Sequence, residues 1–150
     1  MRAGSASLVP ELLVSDLVKS LAFHVDLVGF TVLYARPEDG FAYLGLEGAE
    51  LMLEEAPEET DDERVWWAAR PEKPYGRGIN FQVEISNADA VFDRLNAADW
   101  PLFRPMEEMW YRKDEAEVGN RQFLVQDPDG YLFRFFSDLG ERPAQVSSRA

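Results

Sequence analysis

The side chains of this 150-residue chain best suited to chemistry are a few carboxylates, a set of aromatics and one arginine, all in strand-like stretches. Glu11, Glu50, Glu54 and Glu84 offer negative charge and oxygen lone pairs to a cationic ligand. An exposed carboxylate contact contributes at most about 1 kcal/mol, so such residues steer a ligand more than they hold it. Phe41, Tyr43, Trp110, Tyr111 and Phe136 could stack on flat rings, each adding roughly 0.5–1.5 kcal/mol beyond burial. Arg134 interrupts the alternating strand "YLFRFF". It could form a structural ion pair with Glu54 or Glu84, the preferred reading, or hold the carboxylate of a small ligand. His24, the only histidine, lies in a helical stretch and reads as a packed or surface side chain, not a metal ligand. With no cysteine there can be neither a disulfide nor a thiolate metal site.

Those residues need elements to position them. "SLVPELLV" (Ser7–Val14) reads as a strand, and Ser15 or Asp16 can cap the helix that follows. There Leu17, Leu21, Val25 and Val28 recur at helical spacing, with Phe23 and Leu27 widening the stripe and Gly29 ending it. Strands follow at Phe30–Arg36, Phe41–Leu46 and Ala49–Glu55. The second half repeats the order: strand Gly78–Ile85, cap Ser86 or Asn87, a helix in "ADAVFDRLNAA", then "WPLFRPMEEMWYR", "RQFLVQ" and "YLFRFF", the last two joined by "DPDG". The pattern is βαβββ twice, at a period of about seventy residues, a paired module rather than a solenoid.

Period-two alternation assigns the faces. Leu51 and Leu53 oppose Glu50, Met52 and Glu54. Ile79, Phe81, Val83 and Ile85 oppose Gly78, Asn80, Gln82 and Glu84. Phe133 and Phe135 oppose Leu132, Arg134 and Phe136. Each module thus has an apolar face for its helix and a mixed face that can line a cavity. The candidate ligand-contacting set on the mixed faces is Glu11, Phe41, Tyr43, Glu50, Met52, Glu54, Asn80, Gln82, Glu84, Trp110, Tyr111, Arg134 and Phe136.

The formal net charge of −13 repels nucleic acid and anionic lipid, so neither is expected as a partner. The first residues lack a secretory pattern and no stretch is long and apolar enough to span a bilayer, so a cytoplasmic location is expected.

The stretches "LLVSDLVKSLAFHVDLVGFTVLY" and "FLVQDPDGYLFRFF" resemble the vicinal oxygen chelate superfamily of glyoxalase I, extradiol dioxygenases, and fosfomycin and bleomycin resistance proteins. The resemblance covers nearly all of residues 8–138. It implies an α+β fold of paired βαβββ modules whose curved mixed sheets surround a cavity. On that plan residues 1–138 form one domain, with module one at 7–55, a linker at 56–77 and module two at 78–138. Residues 139–150 are expected to be a disordered tail. In the linker, "DDERVWWAAR" could make three helical turns ended by Pro71, with one of Trp66 and Trp67 packed on its module and the other capping the cavity or meeting a second subunit.

Enzymes of the superfamily hold a divalent metal with one side chain from the first and last strand of each module. Carried over, those positions fall at Val9, Gly78, Met52 and Arg134. None is a good ligand for a hard cation, and Arg134 repels one. The resemblance therefore implies no metal, no cofactor and no catalytic residue. It points to the bleomycin resistance branch, whose members are dimers that sequester a cationic drug in acidic, aromatic-lined clefts. The expected function is a cytoplasmic homodimer capturing a small cationic or amphipathic ligand, such as a bleomycin-like molecule. The alternative is an enzyme of the superfamily, a lyase, isomerase or dioxygenase, with an atypical metal site built from Glu11, Glu50, Glu54 and Glu84. Two departures stand out. Gly119 and Asn120 lie where the branch carries a stacking aromatic, and "EEMWYRKDEAEVGN" is long and charged.

Overall fold

The computed structural model describes residues 4–58 and 66–145. Two four-stranded sheets carry the fold. In the first, β1 (Glu11–Val14), β2 (Thr31–Arg36), β3 (Phe41–Leu46) and β4 (Ala49–Glu55) lie in the order β1-β4-β3-β2. In the second, β5 (Asn80–Glu84), β6 (Leu102–Lys113), β7 (Ala116–Gln126) and β8 (Leu132–Pro143) lie in the order β5-β8-β7-β6. The first strand of each module runs parallel to its last, and the remaining pairs are antiparallel. This is the expected α+β arrangement of paired βαβββ modules.

The expected alternation is visible in the burial. Leu51, Leu53, Phe133 and Phe135 are buried, while Glu50, Met52, Glu54, Arg134 and Phe136 are only partly covered. Ile79 departs from the pattern: it precedes β5 and is exposed, so the apolar face of that strand begins at Phe81. The two apolar faces and both helices merge into one core that includes Leu12, Val14, Phe23, Leu44, Leu95 and Phe123.

The first helix is less regular than its sequence suggests. Asp16 caps α1 (Leu17–Leu21), its side chain accepting from the Lys19 amide. Residues Ala22–Val28 then continue as a π-helix. The wider turn carries Phe23 and His24 inward together, so buried positions there are adjacent rather than at helical spacing. Gly29 ends the segment at φ 109°, and Arg94 of α2 (Ala88–Ala97) donates to the carbonyls of Leu27 and Val28, both at 2.8 Å. Asn87 caps α2 in the manner of Asp16.

The serines before these caps have a different task. The amide and hydroxyl of Ser15 donate to Asp129, in the DPDG turn of the other module, at 3.0 and 2.5 Å. The amide of Ser86 donates to Glu47, in the turn before β4, at 3.0 Å. Each module's last turn thus satisfies the chain entering the other module's helix, so the internal two-fold is held by hydrogen bonds as well as by the core. The Tyr131 hydroxyl adds a bond to the Leu13 carbonyl at 2.9 Å.

Two expectations about irregular segments need correction. Residues 139–143 are not a disordered tail: β8 runs to Pro143, paired with the start of β7. The Arg142 guanidinium lies over the Trp110 ring at 4.0 Å and bonds Glu117 at 2.8 Å, which anchors that extension. Residues 146–150 lie outside the described residues. Half of the three-turn helix expected in "DDERVWWAAR" also falls outside them, and its described part, Trp66–Arg70, is not helical.

Candidate ligand-binding site

The mixed faces of the two sheets open onto separate clefts. The cleft of module two, about 390 Å³, is lined by Gln82, Glu84, Tyr111, Arg134 and Phe136 together with Val118, Asn120 and Asp138. Parallel register sets Gln82 beside Arg134 and Glu84 beside Phe136. Five of the sequence-derived candidates therefore meet there. Asn120 and Asp138 were missed because they follow a register shift at Gly119, which breaks the alternation used to assign faces.

Arg134 does not make the expected ion pair. Glu54 belongs to the other sheet, and the guanidinium joins none of the ion pairs among the described residues. Its Nη1 reaches the Tyr111 hydroxyl at 3.4 Å, and its Nε is buried without a partner. The Tyr111 hydroxyl in turn donates to the Gln122 side chain at 3.0 Å, and the Gln122 amide donates to Glu107 at 3.2 Å. This chain fixes the tyrosine ring at the mouth of the cleft.

Trp110, the neighbour of Tyr111 on β6, points to the opposite face and does not join the cleft. Its ring lies where a side chain at Gly119 would be: a Cβ there would meet ring atoms at 2.7 Å. The glycine that departs from the family pattern is the seat of this tryptophan. The long charged stretch is the β6–β7 hairpin, extended by the pairing of Lys113 with Ala116.

The module-one cleft, about 660 Å³, includes Phe41 and Glu54 with Arg36, Glu55 and Trp66. Arg36 lies 4.0 Å over the Phe41 ring. Glu11 and Met52 are register neighbours on the same strand pair. A hydrogen bond with the Glu11 carboxyl, helped by desolvation and by the charge of Glu11, pushes Glu54 up to about 7. The shared proton leaves this pair with less than its full negative charge near neutrality.

Tyr43 and Glu50 engage each other instead of facing a cleft as a stacking pair. The Tyr43 hydroxyl donates to Glu50 at 2.5 Å, and its ring stacks on Tyr34 at 4.9 Å. That bond raises Tyr43 to about 12 and lowers Glu50, which also accepts from the amides of Ser5 and Ala6. Glu50, Asn80 and Gln82 line a third space of about 300 Å³ between the modules, beside Leu12, Phe30 and Phe81.

The caps give a more exact register between modules. Val9 precedes Asp16 by the same interval as Asn80 precedes Asn87, so Asn80, not Gly78, is the counterpart of Val9. The four positions implied by the resemblance are then Val9, Met52, Asn80 and Arg134. Only the Asn80 side chain adds an oxygen donor, and a guanidinium faces the same sheet. This donor set does not fit a divalent cation. Among the described residues no three His, Asp or Glu side chains converge on a metal-sized site.

His24 is buried and its Nε2 stands 3.2 Å from Asp127 Oδ2, within the core and lining none of these clefts. Of the two readings left open for it, packed or surface, the structure supports the first.

Comparison with known proteins agrees with this architecture. The family described as the Glyoxalase/Bleomycin resistance protein/Dioxygenase superfamily matches residues 7–135. Bleomycin resistance proteins of Geobacillus stearothermophilus and Staphylococcus aureus are 28% identical over 142 residues, covering 87% of this chain and 96% of theirs. Among solved structures, TioX from Micromonospora sp. ML1 superposes with a TM-score of 0.65 at 23% identity, covering 90% of this chain and all of that one. A fosfomycin resistance protein of Listeria monocytogenes gives 0.56 at 18% identity, covering 88% and 90%. The two structures share the fold.

Proposed function

The chain belongs to the glyoxalase/bleomycin resistance protein/dioxygenase superfamily, and on that premise we propose that it is a metal-free small-molecule binding protein of the bleomycin-resistance type. It captures a cationic or amphipathic ligand without turning it over. The observation that carries this reading is the content of the mixed faces. They offer aromatic rings and carboxylates in open clefts, while the positions that would grip a catalytic cation hold Val9, Met52, Asn80 and Arg134. Similarity to bleomycin resistance proteins over 87% of the chain supports the same choice.

The working unit in this reading is a homodimer. Each chain presents two half-open clefts, one acidic around Glu38, Asp39 and Glu55 and one aromatic around Tyr111 and Phe136, and a second copy would close them. No helix among the described residues is long and apolar enough to cross a membrane, in keeping with action on a dissolved ligand.

Calorimetric titration with metal-free bleomycin and with its copper complex tests the proposal. Saturable heat at micromolar protein, with one site per cleft, is expected. Absence of heat with both forms would remove the drug as ligand, and bound zinc, nickel, manganese or iron in protein purified without chelator would overturn the metal-free reading.

A further inference from the structure

Among the described residues Arg134 has no carboxylate within ion-pair distance. Its Nε is sealed from solvent with no partner among the described residues, where its side chain makes a single long bond to the Tyr111 hydroxyl. A buried donor left unmet costs stability, and the guanidinium fork matches the two oxygens of a carboxylate. The cleft it faces is within the size range of small-ligand sites. Tyr111 and Phe136 provide ring faces, and Gln82 and Asn120 provide amides. Beyond the arginine, Glu84 is the next residue of β5 on the same face, about 7 Å along the strand. Asp138 lines the cleft as well.

We propose that this cleft selects a flat ligand bearing a single carboxylate, which Arg134 holds while Tyr111 and Phe136 flank the ring. Glu84 and Asp138 repel a second acidic group, so the ligand is a monoanion at this end. Any basic substituent on it lies toward those two carboxylates. The inference rests on the capture reading above and narrows it: the ligand carries an acid as well as whatever positive charge the acidic cleft attracts.

Ligand-detected NMR and calorimetry with 2-naphthoate, 2-naphthamide and naphthalene-2,6-dicarboxylate test it on the full chain. The acid is expected to bind saturably and about tenfold or more tighter than the amide, the ratio a charge-assisted contact supplies. The dicarboxylate is expected to bind more weakly than the monoacid. Arg134→Met should abolish the preference for acid over amide, and Arg134→Lys should keep part of it. Equal binding of acid and amide by the unaltered protein would overturn the proposal whether or not the variants fold. So would a preference that survives Arg134→Met, or a variant that changes oligomeric state instead, since Arg134 would then answer a carboxylate of a second copy. Loss of bleomycin heat with the acid preference intact would refute the drug alone. Bleomycin heat without that preference would refute the carboxylate alone.

Discussion

The Nε2 of His24, from the π-helix of module one, lies 3.2 Å from Oδ2 of Asp127, from the β7–β8 turn of module two, and neither side chain touches solvent. The rings of Phe23, Phe30 and Phe133 surround the imidazole. The other oxygen of Asp127 accepts from the amides of Asp129 and Tyr131, so one carboxylate both shapes the turn and ties it to the first helix. Removing it strands a buried imidazole and two amides. Asp127→Ala should destabilise the protein by about 3 kcal/mol or more in urea unfolding. His24→Phe should cost less, because an aromatic ring suits that pocket and Asp127 keeps two donors. The opposite order would show that packing of the imidazole, not the carboxylate, holds the junction.

Glu54 provides a pH signature. Its folded value is raised from 4.5 to about 7, chiefly by the hydrogen bond with Glu11. The folded state therefore binds more protons than the unfolded chain between those values, and stability falls as pH rises through that window. The group is only partly covered, so solvent screening keeps the effect at about 1 kcal/mol or less. Melting temperature measured from pH 4 to 8 should show this decline, and Glu54→Gln should flatten it and raise the melting point at the alkaline end. An unchanged profile in the variant would place the titration elsewhere.

Tyr43 and Tyr131 should resist ionisation. The bond to Glu50 raises the first to about 12, and burial raises the second to about 12. Ultraviolet titration should therefore show the phenolates of Tyr43 and Tyr131 forming only near pH 12. Tyr43→Phe should remove one of those two late transitions.

Gly119 exists to seat a ring. A methyl group at that position would meet Trp110 at 2.7 Å. Gly119→Ala should cost about 1–3 kcal/mol, the usual range for overpacking, and should alter tryptophan fluorescence. The tryptophan would also be lifted from Arg142, so the end of β8 should lose protection from hydrogen exchange. A variant as stable as the parent would mean that the ring moves aside freely.

Much of this was legible in the chain. Alternation in β4 and β8 assigns Leu51, Leu53, Phe133 and Phe135 to the core because one-sided burial imposes period two. The cap positions were narrowed to a pair of residues each, and only the structure separates Asp16 and Asn87, which cap, from Ser15 and Ser86, which reach the other module. The π-helix was invisible, since its wide turn breaks the spacing by which helices are read. The β6–β7 hairpin was obscured because Glu, Arg and Lys occupy both faces of strands that extend past the core. Of the candidate site, Gln82, Glu84, Tyr111, Arg134 and Phe136 meet in one cleft. The turning away of Trp110 and the Tyr43–Glu50 bond depend on a strand register and side-chain choices that residue types alone do not encode.

The reciprocal bonds from Glu47 to Ser86 and from Asp129 to Ser15 bear on how the protein could be taken apart. A cut in the stretch between the halves would leave each piece with an unpaired carboxylate on its last turn, a bare amide ahead of its helix and half of a greasy interior open to water. Neither piece has reason to hold its shape in isolation. Together they carry matching plugs and sockets, so the two halves of this polypeptide should rebuild the fold when mixed.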